Sequence, residues 1–194
     1  MKDRCGPITI ITGEKGKGKS TLIRQLVYSL RNSGINPQGL ISPGIYDSGK
    51  KIGISVENIA TCVRKQLAFY DPGWDSEMPE RVWRFDTQAL KWGNNVLNNI
   101  KDTCEVMVVD EIGYLELEKD EGWHSIFQLL EEKDFLQVYF VIRENLLPIA
   151  QDIWPHAQIT KITDIDNPDL WVSNEIKDVL LRIDRYKDQS QRPR

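Results

Sequence analysis

Eight consecutive residues, 13–20, constrain the fold of this chain more than any other segment. They read GEKGKGKS, so three glycines are interspersed with charged residues, and a lysine and a serine close the segment. Glycine adopts positive φ angles at little cost, which lets such a loop turn several backbone N–H groups toward one point. The segment matches G-x-x-x-x-G-K-[ST], the pattern of a loop that holds phosphates, and it therefore predicts a nucleoside triphosphate site.

The flanking residues supply the strand and the helix that this motif requires. Residues 6–12 form a short apolar run, and residues 20–30 have helical periodicity. We expect Lys19 to reach the β and γ phosphates and to act in catalysis, and the Ser20 hydroxyl to bind Mg²⁺. A glycine- and lysine-rich turn that matches by accident is the alternative, which the strand and the helix disfavour. The predicted nucleotide-binding residues of this segment are Gly13, Glu14, Lys15, Gly16, Lys17, Gly18, Lys19, Ser20 and Thr21.

A second motif supplies the carboxylate that a Mg–nucleotide site needs. Residues 106–109 form an almost continuous apolar run, as in a parallel strand that is covered on both faces. Asp110 follows at the carboxyl end, the edge at which ligands bind in open α/β sheets. We predict that Asp110 joins the Mg²⁺ shell and that Glu111 orients and deprotonates the attacking water. Two acids that only solvate the turn before Gly113 are the alternative.

Alternating strand and helix patterns predict an α/β fold with a mostly parallel sheet flanked by helices and a β-hairpin after the first helix. We expect one domain over residues 1–186, followed by a polar, disordered tail at 187–194. Thr87 is the expected N-cap of the helix that follows it. The predicted strands span residues 7–12, 39–46, 50–56, 106–110, 137–142 and 157–163, and the predicted helices span 19–32, 88–101, 122–133, 145–152 and 173–186.

Composition limits the partners and the compartment. The 194 residues carry a net charge of −4, which argues against nucleic acid or an anionic membrane as the main partner. Three cysteines, at positions 5, 62 and 104, follow no metal-ligand spacing and are expected to be reduced thiols. No apolar stretch reaches 18 residues and no signal-peptide pattern opens the chain. We expect a soluble, cytoplasmic monomer that binds a nucleotide, with a protein partner left open.

With both motifs in place, the chain resembles the P-loop nucleoside-triphosphatase family. Residues 110–117, DEIGYLEL, are similar to that family's D-E-I-G-x-M-E-L, and residues 39–54 are similar to its glycine-bounded hairpin. Asn167 falls where the family has Asn-Arg near the nucleobase, which implies a nucleotide-binding role for Asn167. The resemblance covers most of residues 6–181 and implies Mg²⁺-dependent hydrolysis of a nucleoside triphosphate such as ATP or GTP.

The chain also departs from the family pattern at several charged positions. Pro43, Gly44 and Tyr46 stand where the family's hairpin carries acidic and arginine side chains, Tyr114 replaces a lysine, and Pro168 replaces the arginine near the base. Fewer cations around a developing phosphoryl charge imply slower turnover. The phosphate and Mg²⁺ machinery is intact.

Several other residues have two interpretations. Arg143, after the apolar run 138–142, either projects toward the γ phosphate or pairs with Glu144, and pairing is favoured. Lys50 and Lys51 either clamp phosphate from the hairpin or lie in a solvated turn, which is favoured. Two tryptophans that flank the Asn167 segment either stack on the base or pack in the core: Trp154 and Trp171.

Three functions remain open from the sequence. The first is Mg²⁺-dependent hydrolysis of ATP or GTP with broad base tolerance, because the phosphates dominate recognition. The second is a kinase for a small acceptor, for which residues 57–85, with Arg64, Arg81 and Arg84, are the candidate acceptor region. The third is a nucleotide-dependent switch or accessory ATPase that grips a protein partner and turns over slowly.

Overall fold

A nine-stranded sheet runs through the residues that the computed structural model describes, which are 6–73, 82–119 and 121–190. Its strands are β1 (Ile8–Thr12), β2 (Gln38–Ile41), β3 (Gly44–Asp47), β4 (Lys50–Asn58), β5 (Arg64–Tyr70), β6 (Trp83–Phe85), β7 (Val106–Ile112), β8 (Gln137–Ile142) and β9 (Gln158–Lys161). The described α-helices are α1 (Lys19–Asn32), α2 (Thr87–Asn98), α3 (Tyr114–Lys119), α4 (Ser125–Glu132), α5 (Leu147–Ile153) and α6 (Pro168–Ser190). Short 3-10 helices cover Glu144–Leu146 and Ile162–Asp164.

The sheet has a parallel half and an antiparallel half. Its strands lie in the order β6-β5-β4-β2-β7-β8-β1-β9, and β3 pairs with β4 off this path. Strands β2, β7, β8, β1 and β9 are parallel neighbours, whereas β3, β4, β5 and β6 add antiparallel pairs next to β2. The predicted α/β fold is confirmed. The carboxyl ends of five parallel strands meet at one edge, which is where α/β sheets bind ligands.

Helices bury both faces of the parallel half. One hydrophobic cluster packs α2, α4 and α5 against one face, and a second packs α1 and α6 against the other. Every residue of β8 is buried, and so is every residue of β7 except Glu111. This double coverage explains why both strands are almost continuously apolar in sequence. None of the helices in the described ranges is long and apolar enough to cross a membrane.

The predicted strand over residues 39–46 is wrong as a single element. Ser42 and Pro43 divide it into β2, which joins the parallel half, and β3, which forms a hairpin with β4. Proline cannot donate a ladder hydrogen bond, so a continuous strand ends there. The Pro43 carbonyl instead accepts hydrogen bonds from the N–H and the hydroxyl of Ser55, at 2.9 and 3.0 Å. The hairpin therefore projects from the carboxyl edge of β2.

Helix ends also differ from the sequence prediction. Asp86, not Thr87, caps α2, because its carboxylate accepts the Ala89 N–H at 2.8 Å. The sequence analysis missed α3, which directly follows Gly113. Helix α6 continues to Ser190 and so includes residues 187–190, which were assigned to a disordered tail, while residues 191–194 lie outside the described ranges.

The packing of α2 on α4 generates the first prediction. Gly93 of α2 faces Trp123, and a Cβ at Gly93 would lie 2.2 Å from the Trp123 ring. Alanine normally stabilises a helix relative to glycine, but here overpacking should dominate. We expect Gly93→Ala to lower the free energy of unfolding by about 1–3 kcal/mol in urea titrations.

The control for this prediction is Asn98→Ala, since Asn98 is exposed on the same helix. That substitution gains helix propensity without a clash, so it should leave stability equal or higher. A Gly93→Ala variant as stable as Asn98→Ala would mean that Trp123 moves aside freely.

Candidate active site

The loop between β1 and α1 has the backbone that the sequence predicts. Gly13, Gly16 and Gly18 have φ angles of 143°, 83° and 95°, which residues other than glycine rarely adopt. Gly18 stands at the N-cap of α1 in the left-handed region, and its carbonyl accepts the Leu22 N–H at 2.9 Å. A glycine loop with such φ angles before a helix N-terminus is the backbone arrangement that can hold an anion.

Lys19 lies inside this loop rather than in solvent. It is 7% exposed, and its Nζ donates to the carbonyls of Gly13 and Glu14, at 2.8 Å each. Burial lowers the pKa of Lys19, while the charges of Glu111 and Asp110 act in the opposite direction. The ammonium is thus held at the centre of the loop by two carbonyls that a phosphate oxygen can replace.

Strand register brings Asp110 to the same edge as the loop. Val141 of β8 pairs with Ile11 of β1 on one side and with Asp110 of β7 on the other. Strand β8 therefore lies between β1, which leads into the loop, and β7, which carries Asp110. Helix α1 packs against both β7 and β8. The Ser20 hydroxyl at the start of α1 lies close enough to Asp110 to act on the pKa of its carboxyl. The two predicted Mg²⁺ ligands lie side by side.

Buried oxygen atoms without a partner collect at this edge. Asp110 is 1% exposed, and neither of its carboxylate oxygens makes a hydrogen bond of regular geometry in the described part of the chain. The Ser20 hydroxyl and the Ser42 N–H lie near enough to act on the pKa of Asp110 but do not meet that geometry. The hydroxyls of Thr12, which ends β1, and Ser42, which follows β2, are also buried and unpaired. Such groups are costly unless something binds them.

The donor set at this edge fits Mg²⁺. Carboxylate and hydroxyl oxygens are the ligands of a hard cation, and Mg²⁺ typically takes one or two from the protein and the rest from phosphates and water. Asp110 and Ser20 would supply those two. No group of three His, Cys, Asp or Glu residues that could hold a metal occurs among residues 6–73, 82–119 and 121–190, and a Mg–nucleotide site needs none.

The electrostatics of Asp110 agree with a cation site. Burial, followed by the neighbouring charge of Glu111, raises the pKa of Asp110 from 3.8 to about 7. The Ser20 hydroxyl, the Ser42 N–H and the charge of Lys19 oppose this shift. The protein alone does not neutralise this carboxylate, which a divalent cation beside it would do.

Glu111 is held by Arg143. The Arg143 Nε donates to Glu111 Oε1, and the two side chains form a partly exposed ion pair. The favoured interpretation of Arg143, pairing with Glu144, is wrong: Glu144 accepts from Lys161 at 3.1 Å. Arg143 directly follows β8, which lies between β1 and β7. This position places the Arg143 side chain within reach of Glu111 on β7. The pair leaves Glu111 Oε2 available to accept a proton from water.

Glu116 fixes the turn behind Glu111. Its two carboxylate oxygens accept the N–H groups of Gly113 and Trp123, at 2.7 and 2.8 Å, and the side chain is 7% exposed. Burial raises the pKa of Glu116. This residue belongs to the DEIGYLEL segment but serves as a structural brace, a role that the motif alone does not reveal.

The hairpin brings a further lysine to the site. Lys51 of β4 is half-buried, its Nζ lies 5.2 Å from the centroid of the Trp83 ring, and its charge interacts with those of Glu111 and Asp110. The sequence favoured a solvated turn for both Lys50 and Lys51. This interpretation holds for Lys50, which is exposed, and is wrong for Lys51, which is half-buried.

The base side of the predicted site is less defined. Asn167 is exposed, and its Oδ1 accepts the Leu170 N–H at 3.0 Å, so it caps α6. Trp154 is 3% exposed and packs against Phe127 and Phe140 in the core, so its interpretation as a base-stacking residue is wrong. Trp171 is half-buried against the α1–α6 cluster.

The burial of Asp110 predicts how stability depends on pH. The folded-state pKa lies above the unfolded value, so this carboxyl favours folding fully below pH 3.8 and progressively less as the pH rises through about 7. Asp110→Asn removes the buried charge. Without divalent cations, we expect the variant to exceed the wild type in free energy of unfolding by an amount that grows from pH 5 to pH 8 and reaches on the order of a few kcal/mol.

Urea titrations with a chelator present measure this difference, and Asp152→Asn, on the exposed side of α5, serves as the control. A pH-independent difference between Asp110→Asn and the wild type would show that the Asp110 carboxyl is not perturbed in the folded protein.

Comparisons with known proteins agree with this geometry. A family model for NTPases matches residues 8–178. The nucleoside-triphosphatase THEP1 of Korarchaeum cryptofilum is 36% identical over 148 residues, which are 75% of this chain and 62% of that protein. The nucleoside-triphosphatase THEP1 of Ignicoccus hospitalis is 33% identical over 132 residues, 66% of this chain and 72% of that protein. The chain thus spans a little under two thirds of the first relative and more of the second.

A solved structure matches over nearly the whole chain. The solution structure of a human cancer-related nucleoside triphosphatase has a TM-score of 0.66 and 19% identity, and the match covers 97% of this chain and all of that one. At this identity the likeness concerns the fold alone. The family model matches most of the chain, and both relatives are named as nucleoside-triphosphatases. The chain belongs to the NTPase family.

Proposed function

We propose that this protein is a Mg²⁺-dependent nucleoside-triphosphate phosphohydrolase that converts ATP or GTP to the diphosphate and phosphate. The observation that carries the proposal is the convergence of four groups at one sheet edge: Lys19 inside its loop, Ser20, the unpaired Asp110 carboxylate and the Glu111–Arg143 pair. Each has a role in phosphoryl transfer to water.

The loop binds the triphosphate through its backbone and Lys19. Amides of residues 13–20 and the N-terminus of α1 donate to the phosphates, as the left-handed glycines allow. Lys19 exchanges its bonds to the Gly13 and Glu14 carbonyls for bonds to the β and γ phosphates. Recognition through phosphates is independent of the base, which supports broad base tolerance. Asn167 retains its Nδ2 to donate to a base.

Ser20 and Asp110 hold the metal in this proposal. These two residues would hold Mg²⁺, whose positive charge would offset the negative charge that develops on the phosphates during transfer. The protein's own contribution is the Ser20 hydroxyl together with the Asp110 carboxylate, whose two oxygens are buried without a hydrogen-bond partner among the described residues.

Glu111 is the proposed general base. Arg143 occupies Oε1, which fixes the carboxylate, and Oε2 accepts the proton of the attacking water. The water oxygen forms a bond to the γ phosphorus as the bond to the β–γ bridging oxygen breaks, and the diphosphate leaves with that electron pair. Glu116 supports this step through the backbone of Gly113.

The alternative functions receive less support from the structure. Two arginines of the region proposed as a kinase acceptor site are paired with carboxylates, Arg64 with Glu57 and Arg84 with Asp71, and Arg81 lies outside the described residues. All the proposed catalytic groups come from one chain, which supports a monomer. Free thiols at Cys62 and Cys104 support a reducing compartment such as the cytoplasm.

Phosphate release tests the base assignment. We expect purified protein to release phosphate from ATP, GTP, CTP and UTP over many turnovers only with Mg²⁺. Glu111→Gln keeps an oxygen for Arg143 but cannot take a proton, so kcat should fall by about 10²-fold or more with nucleotide affinity retained. Glu118→Gln, on the exposed side of α3, should match the wild type.

The outcomes of this assay separate the three functions. Unchanged hydrolysis by Glu111→Gln would remove Glu111 as the base. Tight Mg–nucleotide binding by the wild type without release would favour the switch, and a phosphorylated small molecule would favour the kinase.

An equilibrium binding measurement tests whether Lys19 contacts the phosphates of the nucleotide. Lys19→Ala removes a cation from the centre of the loop, so we expect its affinity for Mg–ATP to fall by roughly tenfold or more. Titration calorimetry measures this, with Lys91→Ala, exposed on α2, as the matched charge control. Equal affinities for these two variants would show that Lys19 does not contact the phosphates.

A further inference from the structure

We propose that Lys51 is a catalytic residue that the hairpin supplies: its ammonium stabilises the charge that develops on the γ phosphate in the transition state. This assignment rests on the proposed hydrolytic function. It adds a cation from an element other than the loop, at a position that the sequence analysis favoured as part of a solvated turn.

Lys51 and Lys19 converge on the same charges from different elements. Leu40 of β2 pairs with Val109 of β7, so the chain that follows β2 leaves the sheet beside Asp110. A Cβ at Gly44 in that following segment would lie 3.0 Å from Lys51 Cε, which places the Lys51 side chain near the same edge. In agreement with this placement, the charges of Glu111, Asp110 and Arg143 act on both lysines. Lys19 reaches them from the loop before α1, and Lys51 reaches them from β4. Since Glu111 marks the side on which water attacks, Lys51 lies on the γ-phosphate side of the site.

The surroundings of Lys51 position the side chain without neutralising it. The Trp83 ring of β6 lies under the ammonium, at 5.2 Å, and its edge contacts Tyr70 of β5, with 5.5 Å between ring centroids. Gly44 provides room for the aliphatic stem, because a Cβ there would lie 3.0 Å from Lys51 Cε. Lys51 is therefore contacted by Trp83 of β6 and by Gly44 of β3, and Tyr70 of β5 packs against Trp83.

The charge of Lys51 is available for a ligand. In the described part of the chain, no carboxylate lies within ion-pair distance of Lys51, whereas Arg143 is paired with Glu111. Burial and the nearby charge of Lys15 disfavour the ammonium and lower the pKa of Lys51. A partly desolvated cation that has no carboxylate partner among residues 6–73, 82–119 and 121–190 is suited to bind an anion.

The neighbouring Lys50 provides an internal comparison. Side chains of consecutive strand residues point to opposite faces, and Lys50 is exposed opposite Asp47 in the hairpin. The two lysines carry the same charge at almost the same place in the chain. A general electrostatic effect would involve both, whereas the proposed role belongs to Lys51 alone.

The experiment compares Lys51→Met, Lys51→Arg and Lys50→Met by steady-state phosphate release in Mg²⁺ buffer. Methionine keeps the apolar stem over Trp83 and removes the charge. We expect Lys51→Met to lower kcat by about a hundredfold, with the ATP dissociation constant changed by less than about threefold. Lys51→Arg should restore most of the loss, and Lys50→Met should match the wild type.

A binding measurement separates this role from a structural one. ADP with aluminium fluoride mimics the transferring phosphoryl group, so calorimetry of ADP with and without fluoride reports transition-state affinity. We expect Lys51→Met to lose most of the affinity that aluminium fluoride adds and to retain the affinity for ADP. Urea titration of each variant shows whether its fold is intact.

The outcomes distinguish a failure of this assignment from a failure of the hydrolytic function. Turnover that depends on Glu111 but is equal in Lys51→Met and Lys50→Met would overturn the role of Lys51 and leave the hydrolase standing. A Lys51→Met variant that weakens ADP and the fluoride complex equally would also overturn it. A wild-type protein that neither turns over nor binds the fluoride complex would overturn both proposals.

Discussion

A carboxylate with no partner, buried at the end of a parallel strand, is the constraint on which the site depends. Asp110 is 1% exposed and its oxygens lack hydrogen-bond partners among the described residues. Burying an uncompensated charge is among the costliest features of a fold. A cation beside Asp110 and Ser20 would compensate this charge, so the proposed metal site and the instability of the isolated carboxylate have the same physical origin.

Buried polar groups on the sheet differ between its two ends. At the amino end of β8, Gln137 Nε2 donates to the Thr9 hydroxyl at 2.9 Å, and Gln137 Oε1 accepts from Arg182 of α6. Tyr139 donates to the buried Glu175 of α6 at 2.7 Å. At the carboxyl end, Thr12, Ser42 and Asp110 are unpaired. Satisfied groups hold α6 on the sheet, and unsatisfied groups collect where a ligand can bind them.

Features that depend on residues close together in the chain could be predicted from the sequence. The glycine loop, strand β8 and the position of Asp110 at the sheet edge are examples. Each follows from a short run of consecutive residues, either glycines that allow positive φ angles or apolar residues that form a buried strand. The break at Pro43 was missed because a proline between two apolar stretches can end a strand or lie at its margin. Cap choice between Asp86 and Thr87 depends on which side chain reaches the Ala89 N–H, which periodicity cannot resolve.

The larger errors concern pairs that are distant in sequence. Arg143 was assigned to Glu144, its neighbour in the chain, but it pairs with Glu111, 32 residues away, because β7 and β8 are adjacent in the sheet. Lys51 was assigned to solvent because hairpin turns are usually exposed, yet it is half-buried beside Trp83, and its charge interacts with those of Glu111 and Asp110. Which groups a charged side chain meets depends on which strands are neighbours in the sheet. The sequence predicted a mostly parallel sheet but not the order of its strands.

Arg143 and Lys51 together change what the absent family charges imply. The hairpin lacks charged side chains at Pro43, Gly44 and Tyr46, and from the sequence alone this argued for slow turnover. In the structure the small Gly44 makes room for the Lys51 stem, and Arg143 reaches the same site from β8. The loss of charge at three hairpin positions therefore does not leave the proposed nucleotide site without cations, because Lys51 and Arg143 lie at that sheet edge and come from other positions in the chain.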